Sequence, residues 1–441
     1  MKRCNFQHPK KRKEAFFDMR TFVNEIKAGK DVELLGWVHE IRDLAKIKFV
    51  LLRDYTGIVQ CFTKNEKLFK KISELTLESV VKIKGTSKKA DVKYEDAIHD
   101  IEIEIKDIEL LNKAEDLPIQ VLEKAITTGL SKRLDYRYLD IRKPKIKAIF
   151  KIQSEIANSF REFFRKENFI EIQPPCIITT STEGGSDLFK VKYFDKDAYL
   201  AQSPQLYKQL VAISLEKVFL VMPIWRAEKH NTVRHLTEIR QMDIEMAFAD
   251  DMDVMKLLTK SIQYIVKSVI KNCSEELKIL NLKLKVPEEK YLSYKETIEL
   301  LKKNKIAIKD GEDLTPEAEK KLSELFPDTI VFVHSWPQSL KPFYIWPKEN
   351  GLSGGFDAIY GGMELASGGQ RIHIPKILIK NIKAKGMNPE NFKWYVDAFR
   401  YGAPKHSGWS YGIERLTMIL CKLDNIREGT LFPRDPDRLK P

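Results

Sequence analysis

Residues 217–238 read KVFLVMPIWRAEKHNTVRHLTE: an apolar run ends in Arg226 and Glu228, and a polar loop carrying Arg234 and His235 follows. Next comes RQMDIEMAF, where Met242, Ile244, Met246 and Phe248 alternate with Asp243, Glu245 and Ala247. Two period-2 segments joined by a polar loop predict an antiparallel hairpin. Arg226 and Glu228 then share one face of the first strand, and Asp243 and Glu245 share one face of the second. If those faces coincide, an arginine and several acids project together from the sheet, an arrangement that calls for a ligand.

Three further stretches have the same character. In AQSPQLYKQ (201–209), Ser203 suits an N-cap and Pro204 the first helical position, which puts Gln205 and Lys208 on one face of the first turn. A lysine there opposes the helix dipole, although an ordinary surface lysine reads the same way. In FDAIYGGMELASGGQRIH (356–373), two Gly-Gly pairs bracket Glu364 and Ser367, and Arg371 follows. Glycine allows a ligand close to the backbone, and it equally makes plain turns. In HSGWSYGIERLTMILCKL (406–423), small residues at 408, 410 and 412 lead into a helix with Arg415 in its first turn, better placed to hold an anion than to stabilise the helix.

The elements that position these residues can be read in outline. The chain has 441 residues, 43% hydrophobic, enough for two or three domains. No uncharged apolar stretch is long enough to span a membrane, and the basic N-terminus lacks the apolar core of a secretory signal. The net charge of +13 alone does not decide for nucleic acid. Five scattered cysteines without a CxxC pair argue against zinc and disulfides and for a reducing cytosol, hence a cytoplasmic protein. Residues 1–30 are a basic extension, whose Lys10, Lys11, Arg12 and Lys13 could meet phosphates or simply be solvated. Residues 31–111 hold five short strand-like runs, the second and third separated by DYTG; this size suits a closed all-β barrel of the OB type, with an SH3-like barrel or a sandwich as alternatives. Residues 112–145 read as a hinge. From 146 to 441, helices alternate with antiparallel-looking strands, an α+β domain on an antiparallel sheet.

Together these segments resemble one family. The RAE segment with its RH loop resembles motif 2 of the class II aminoacyl-tRNA synthetases. SGWSYGIERL resembles motif 3, and FIEIQPP resembles motif 1, with Pro175 at the proline that belongs to the family's homodimer interface. A barrel ahead of such a domain is the architecture of subclass IIb, which charges aspartate, asparagine or lysine, and the IREGTLFPRDPDRLKP ending fits too. The resemblance implies that ATP and an amino acid lie on the sheet, that the carboxylate attacks the α-phosphate, and that the tRNA 3′ end then takes the aminoacyl group. It implies that Arg226 and Arg415 are catalytic: Arg226 on the α-phosphate and the amino acid carboxylate, Arg415 on the γ-phosphate and against the adenine. Glu228 would hold the adenine amino group, and Arg234, His235 and Leu236 the β/γ-phosphate end. Gly412 would leave room for the nucleotide beside Ile413 and Glu414. Glu364 would ligate Mg²⁺, with Ser367 nearby.

Within the subclass, Lys208 and Arg371 match the two cations that read the side chain in archaeal-type aspartyl-tRNA synthetases. Gln205, Ser367 and His406 lie near the amino acid, Glu183 would bind its ammonium, and Asp243 would support that network. Asparaginyl relatives carry Leu-Glu where this chain has Lys208-Gln209, and lysyl relatives need acids. Two buried cations awaiting an anion should reject a neutral amide, which implies aspartate. Three departures stand out: Ser410 replaces the middle glycine of motif 3, Lys229 stands where relatives have an acid, and Tyr360-Gly361-Gly362 lacks a basic residue. In the barrel, Phe49 matches an aromatic that stacks on an anticodon base and Gln60 a residue that bonds the central uridine. His39 resembles the versions that charge both tRNA(Asp) and tRNA(Asn), which implies a tRNA-dependent amidotransferase acting next. The alternatives are a strictly tRNA(Asp)-specific enzyme and, less favoured, an asparaginyl-tRNA synthetase.

Overall fold

Strands that bury every second residue close on themselves in the first part of the chain. The computed structural model describes residues 20–122, 128–179 and 188–441 and divides into two units between Thr128 and Gly129. The first unit contains β1 (Asp31–Leu44), β2 (Ile47–Arg53), β3 (Ile58–Thr63), helix α1 (Glu66–Ser73), β4 (Val80–Lys89) and β5 (Ile101–Asn112). They form a closed barrel in the order β1-β2-β3-β5-β4, with only the β3–β5 pair parallel, which is the OB arrangement. Val38, Val50, Leu52, Val59, Cys61, Val81, Ile83 and Ile103 fill the interior, joined by Leu68 and Ile72 of α1. The β1–β2 register slips between Val38 and Glu40, so His39 is the extra residue of a β-bulge, a device that re-aims a side chain.

The second unit starts with α2 (Leu130–Asp135), α3 (Arg137–Asp140) and α4 (Pro144–Lys166). The stretch read as a hinge therefore splits. Asn112 ends β5, whereas Arg137 is fully buried in the second unit and donates to the carbonyls of Glu428 and Thr430 at 2.7 and 3.0 Å. A buried arginine held by carbonyls and by Asp140 at 2.7 Å leaves no apolar periodicity to read. The proline-stopped strand shrinks to β6 (Ile170–Glu171), followed by β7 (Ile177–Ile178), β8 (Lys190–Tyr193), β9 (Lys196–Leu200) and α5 (Gln205–Leu215). The hairpin is β10 (Lys217–Trp225) and β11 (Glu238–Ala247); Phe248 lies beyond it and is exposed. Then come α6 (Asp251–Asn272), α7 (Ser274–Ile279), β12 (Glu288–Ser293), α8 (Tyr294–Lys303), α9 (Pro316–Leu325) and β13 (Thr329–His334). Last are β14 (Gly355–Tyr360), β15 (Met363–Gln370), α10 (Pro375–Ala384), α11 (Lys393–Ala398), β16 (His406–Gly412) and α12 (Ile413–Cys421).

Eight strands form one sheet, β12-β13-β14-β15-β16-β11-β10-β6, antiparallel except for the outermost pair at each end. A second sheet, β7-β9-β8, is small. One face of the large sheet is the floor of the core. Ile152, Ile156, Phe160 and Phe164 of α4, with Leu258, Ile262 and Ile265 of α6, pack on Met242, Ile244, Trp409 and Tyr411. Each such side chain contributes about 1.5–3 kcal/mol when fully buried. Strand alternation then sends Gln241, Asp243 and Glu245 of β11, and Gly408, Ser410 and Gly412 of β16, to the opposite face. The helices thereby fix which face can hold chemistry.

Candidate active site

The hairpin register pairs Leu220 with Asp243 and Val218 with Glu245, and Arg226 continues it by donating its backbone N–H to Thr237 at 2.9 Å. Arg226, Gln241, Asp243 and Glu245 therefore share the open face. Arg226 and Glu228 lie just past the end of β10, on the loop rather than the strand, because Trp225 is the last residue with ladder pairing. Helix α5 starts at Gln205 with Pro204 as its N-cap, one residue later than expected, although the Ser203 hydroxyl still accepts from Gln205 N at 3.2 Å.

Two cavities on this face share Arg226, Gln241, Glu364, Ser367 and Ser410 and so form one cleft with two lobes. The first lobe is lined by Glu228, Arg234, His235, Leu236, Gly412, Glu414 and Arg415, the set expected around a nucleotide. Ile413 is buried beside them. A Cβ on Gly412 would meet nothing nearer than Glu414 Oε2 at 3.5 Å, so the wall there is open. Arg415 donates to the Glu364 carbonyl at 2.6 Å, and Arg234 lies 3.3 Å from both Glu319 Oε2 and the Gly362 carbonyl. Glu414 accepts from Arg240 N at 3.0 and 3.2 Å, which ties the first turn of α12 to β11; burial pushes its carboxyl up to about 7. Burial, with Arg415 next in weight, lowers the His235 pKa, and its ring meets Thr232 Oγ1 at 2.6 Å. Gly361 and Gly362, both at positive φ, form the two-residue turn of the β14–β15 hairpin, so this glycine pair serves the turn.

The second lobe is lined by Ser203, Gln205, Lys341, Tyr344 and Arg371. Lys208 and Arg371 are both buried, and each is already paired with an acid. Lys208 Nζ lies 2.9 Å from Asp243, 3.5 Å from Glu245 and 3.3 Å from the Trp409 carbonyl. Arg371 binds Glu245 through Nε at 2.9 Å and Nη2 at 3.2 Å, leaving Nη1 with no partner among the described residues. The expectation of two unpaired cations is thus corrected: two acids of β11 already balance them, because buried charge must be paired to persist. Gly408 makes this possible, since a Cβ there would meet Glu245 Oε2 at 2.2 Å. Burial pushes Asp243 up to about 6 against the pull of Lys208, and Asp243 Oδ1 has no partner. Burial holds His406 near 4, neutral, with Nδ1 3.0 Å from the Pro404 carbonyl and Nε2 3.0 Å from the Gln209 amide.

Glu183 lies outside the described residues, as do Lys10, Lys11, Arg12 and Lys13. Lys229 is exposed, and Ser410 accepts from Gln241 Nε2 at 2.7 Å. Several cleft residues escaped the sequence reading. Gln241 lines both lobes, and its Oε1 is buried without a partner. Asp357 lies opposite Ser367 in the sheet and binds Lys341 at 2.5 Å. An aspartate inside the apolar run FDAIY was the available signal for it. Burial and then Asp357 push Glu364 up to about 7. The loop itself is clamped from the far end of the chain: Arg427 binds Asp435 at 2.6 Å, the Thr232 carbonyl at 3.0 Å and Asn231 Oδ1 at 2.5 Å. Asn231 also donates to Asp437.

This cleft on an antiparallel sheet, with an arginine on the hairpin and another on the helix after β16, coincides with a match of residues 129–436 to the family of class II tRNA synthetases (D, K and N). The chain belongs to the class II aminoacyl-tRNA synthetases. Residues 32–111 match the OB-fold nucleic-acid-binding domain, so this synthetase carries the anticodon barrel. The chain is similar to the aspartate–tRNA(Asp/Asn) ligase of Methanopyrus kandleri, 44% identical over 94% of this chain and 96% of that one. It is also similar to the aspartate–tRNA(Asp) ligase of Picrophilus torridus, 42% identical over 96% and 100%. Among solved structures, asparaginyl-tRNA synthetase from Pyrococcus horikoshii with asparaginyl-adenylate superposes with a TM-score of 0.91 at 35% identity, covering 96% of this chain and 100% of that one. The synthetase is therefore a ligase with ATP as substrate and tRNA as partner. In its barrel, Phe49 and Gln60 sit on one outer face, where Phe49 pairs with Phe62 and Gln60 donates to Glu102 at 3.1 Å. His39 is only 2% exposed: Arg53 Nη1 donates to its Nδ1 at 3.0 Å, which leaves the proton on Nε2, 3.2 Å from the Tyr94 hydroxyl. No helix among the described residues is long and apolar enough to cross a membrane.

Proposed function

We propose that this synthetase activates L-aspartate and charges both tRNA(Asp) and tRNA(Asn). The observation that carries the reading is Arg226, which lines both lobes of the cleft with a buried Nε that has no partner. A guanidinium at that junction can hold the amino acid carboxylate against the α-phosphate, so that positioning and charge neutralisation do the catalytic work. Glu228 would accept from the adenine amino group, and Arg234, His235 and Arg415 would hold the outer phosphates. Asp357, Glu364 and Ser367 fit a Mg²⁺ ion: burial and the neighbouring Asp357 disfavour ionisation of Glu364, a repulsion that a divalent cation relieves. When bound, that ion would neutralise phosphate charge. In the amino acid lobe, Arg371 Nη1 offers only donors. A carboxylate accepts from it, whereas an amide would turn an NH₂ group towards it in one of its two orientations and pair less well in the other. That supports aspartate over asparagine, with Gln205, Gln241 and Ser367 near its backbone groups.

For the tRNA, Phe49 would stack on an anticodon base and Gln60 would bond the central one. His39 supports the relaxed range through its bulge, beside Arg53 and Tyr94. Exposed Ile170, Pro175 and Ile177 support a homodimer through this edge. The enzyme would work in the cytoplasm and hand Asp-tRNA(Asn) to a tRNA-dependent amidotransferase. Charging of purified tRNA(Asp) and tRNA(Asn) transcripts with labelled aspartate, side by side with labelled asparagine, tests the reading. Aspartate is expected on both. Aspartate on tRNA(Asp) alone removes the relaxed range, and charging with asparagine removes the aspartate assignment.

A further inference from the structure

Helix α9 carries none of the residues singled out from the sequence. Its Ala318 and Leu322 are buried, which turns Glu319 and Ser323, one helical turn apart, towards the β14–β15 hairpin. Ser323 Oγ accepts from Gly362 N at 2.8 Å and so anchors the helix to the turn. Glu319 does something else. Its Oε2 lies 3.3 Å from Arg234 Nη1, its side chain is only 14% exposed, and the backbone N–H of Glu364 and the charge of Arg415 also act on it. These are the two arginines at the polyphosphate end of the cleft. A carboxylate and a phosphate oxygen compete for the same guanidinium donors.

We propose that Glu319 is a resident anion of the cleft: it holds Arg234 while nucleotide is absent, gives it up to the outer phosphates of ATP, and so sets the affinity for that end of the nucleotide. The inference rests on the reading of this lobe as the ATP site. It differs in sign from a supporting role. A carboxylate that only braced the hairpin would weaken every ligand when removed, whereas one that competes with the phosphates for a cation would tighten ATP when removed.

The test is calorimetric titration of the full-length protein and its Glu319→Gln variant with ATP, inorganic tripolyphosphate and adenosine, with no amino acid present. Glu319→Gln should bind ATP and tripolyphosphate about fivefold more tightly, the size expected for a partly buried ion pair that no longer has to be broken. Adenosine, which does not reach Arg234, should bind equally to both. Glu319→Asp, whose carboxylate is one methylene further away, should be intermediate, and it serves if the glutamine variant does not fold. Unchanged or weaker tripolyphosphate binding overturns the proposal, as does an equal shift for adenosine. A wild-type protein that binds adenosine or ATP not at all overturns the reading of the lobe itself, which is a different failure.

Discussion

Replacing Lys208 by methionine keeps most of the side chain's volume and removes its charge from a place where nothing can replace it. The lysine and its two acids are each no more than 1% exposed, with Nζ 2.9 Å from Asp243 and 3.5 Å from Glu245. Arg371 still serves Glu245 after the change, but Asp243 loses its only ion pair among the described residues, and its Oδ1 is already without a partner. Breaking one side of a buried pair costs about 3–5 kcal/mol. At roughly 2–4 °C per kcal/mol, the midpoint of the catalytic unit should fall by about 6–20 °C. Part of that loss is relieved by protonation. The Asp243 carboxyl already titrates near 6 in the folded protein, above its ordinary 3.8, and loss of Lys208 raises it further. A folded-state pKa above the unfolded one gives stability that is present at low pH and lost as pH rises through the folded value. Lys208→Met should therefore be less destabilised at pH 6 than at pH 8. Denaturant unfolding of Lys208→Met, Asp243→Asn and the double variant at both pH values is the assay. The double variant should recover about 1–3 kcal/mol relative to the sum of the singles. Additive losses, or a Lys208→Met cost below about 1 kcal/mol at pH 8, would refute the argument that this lysine exists to balance Asp243.

Three more outcomes are expected. Phe49→Ala should raise the KM for tRNA by about 10–100-fold, the worth of one stacked base, while ATP–pyrophosphate exchange without tRNA stays at the wild-type rate; loss of exchange would contradict a role confined to the barrel. Glu364→Gln should reduce aspartate-dependent exchange by more than the roughly 10–100-fold that loss of a mere supporting group costs, and added Mg²⁺ should not restore it. Since burial depresses His406 to about 4, the unfolded chain binds its proton first, and stability should fall as pH drops from about 6.5 towards 4. In His406→Gln that part of the acid slope should vanish, as read from melting temperature against pH in both proteins.

Local pattern was enough to bring together the residues of the first lobe. Arg226, Glu228, Arg234, His235, Gly412 and Arg415 belong to one hairpin and one helix start, and alternation with a helical period is enough to aim them. The charge state of the second lobe was not legible in the same way. Lys208 meets its partner 35 residues away and Arg371 meets Glu245 126 residues away, so nothing near either cation in the sequence announced that it was already paired. Asp357 and Glu319 were missed for a related reason: one lies in an apolar strand and the other on a charged helix, and only the fold brings both to Glu364. The unit boundary falls within the stretch read as a hinge, but the burial of Arg137 in its second half left no mark on composition, because Asp140 and two carbonyl oxygens hold it.

The clamp on the β10–β11 loop joins residues that are far apart in time as well as in sequence. Asn231 is 196 residues ahead of Arg427 and 206 ahead of Asp437. On a ribosome that adds about 5–20 residues per second, the hairpin is made some 10–40 seconds before the residues that fix its loop. Through that interval the β10–β11 pair can form while the loop with Arg234 lacks these tethers. A chain cut before Arg427 therefore keeps the β10–β11 hairpin without the bonds that hold its loop.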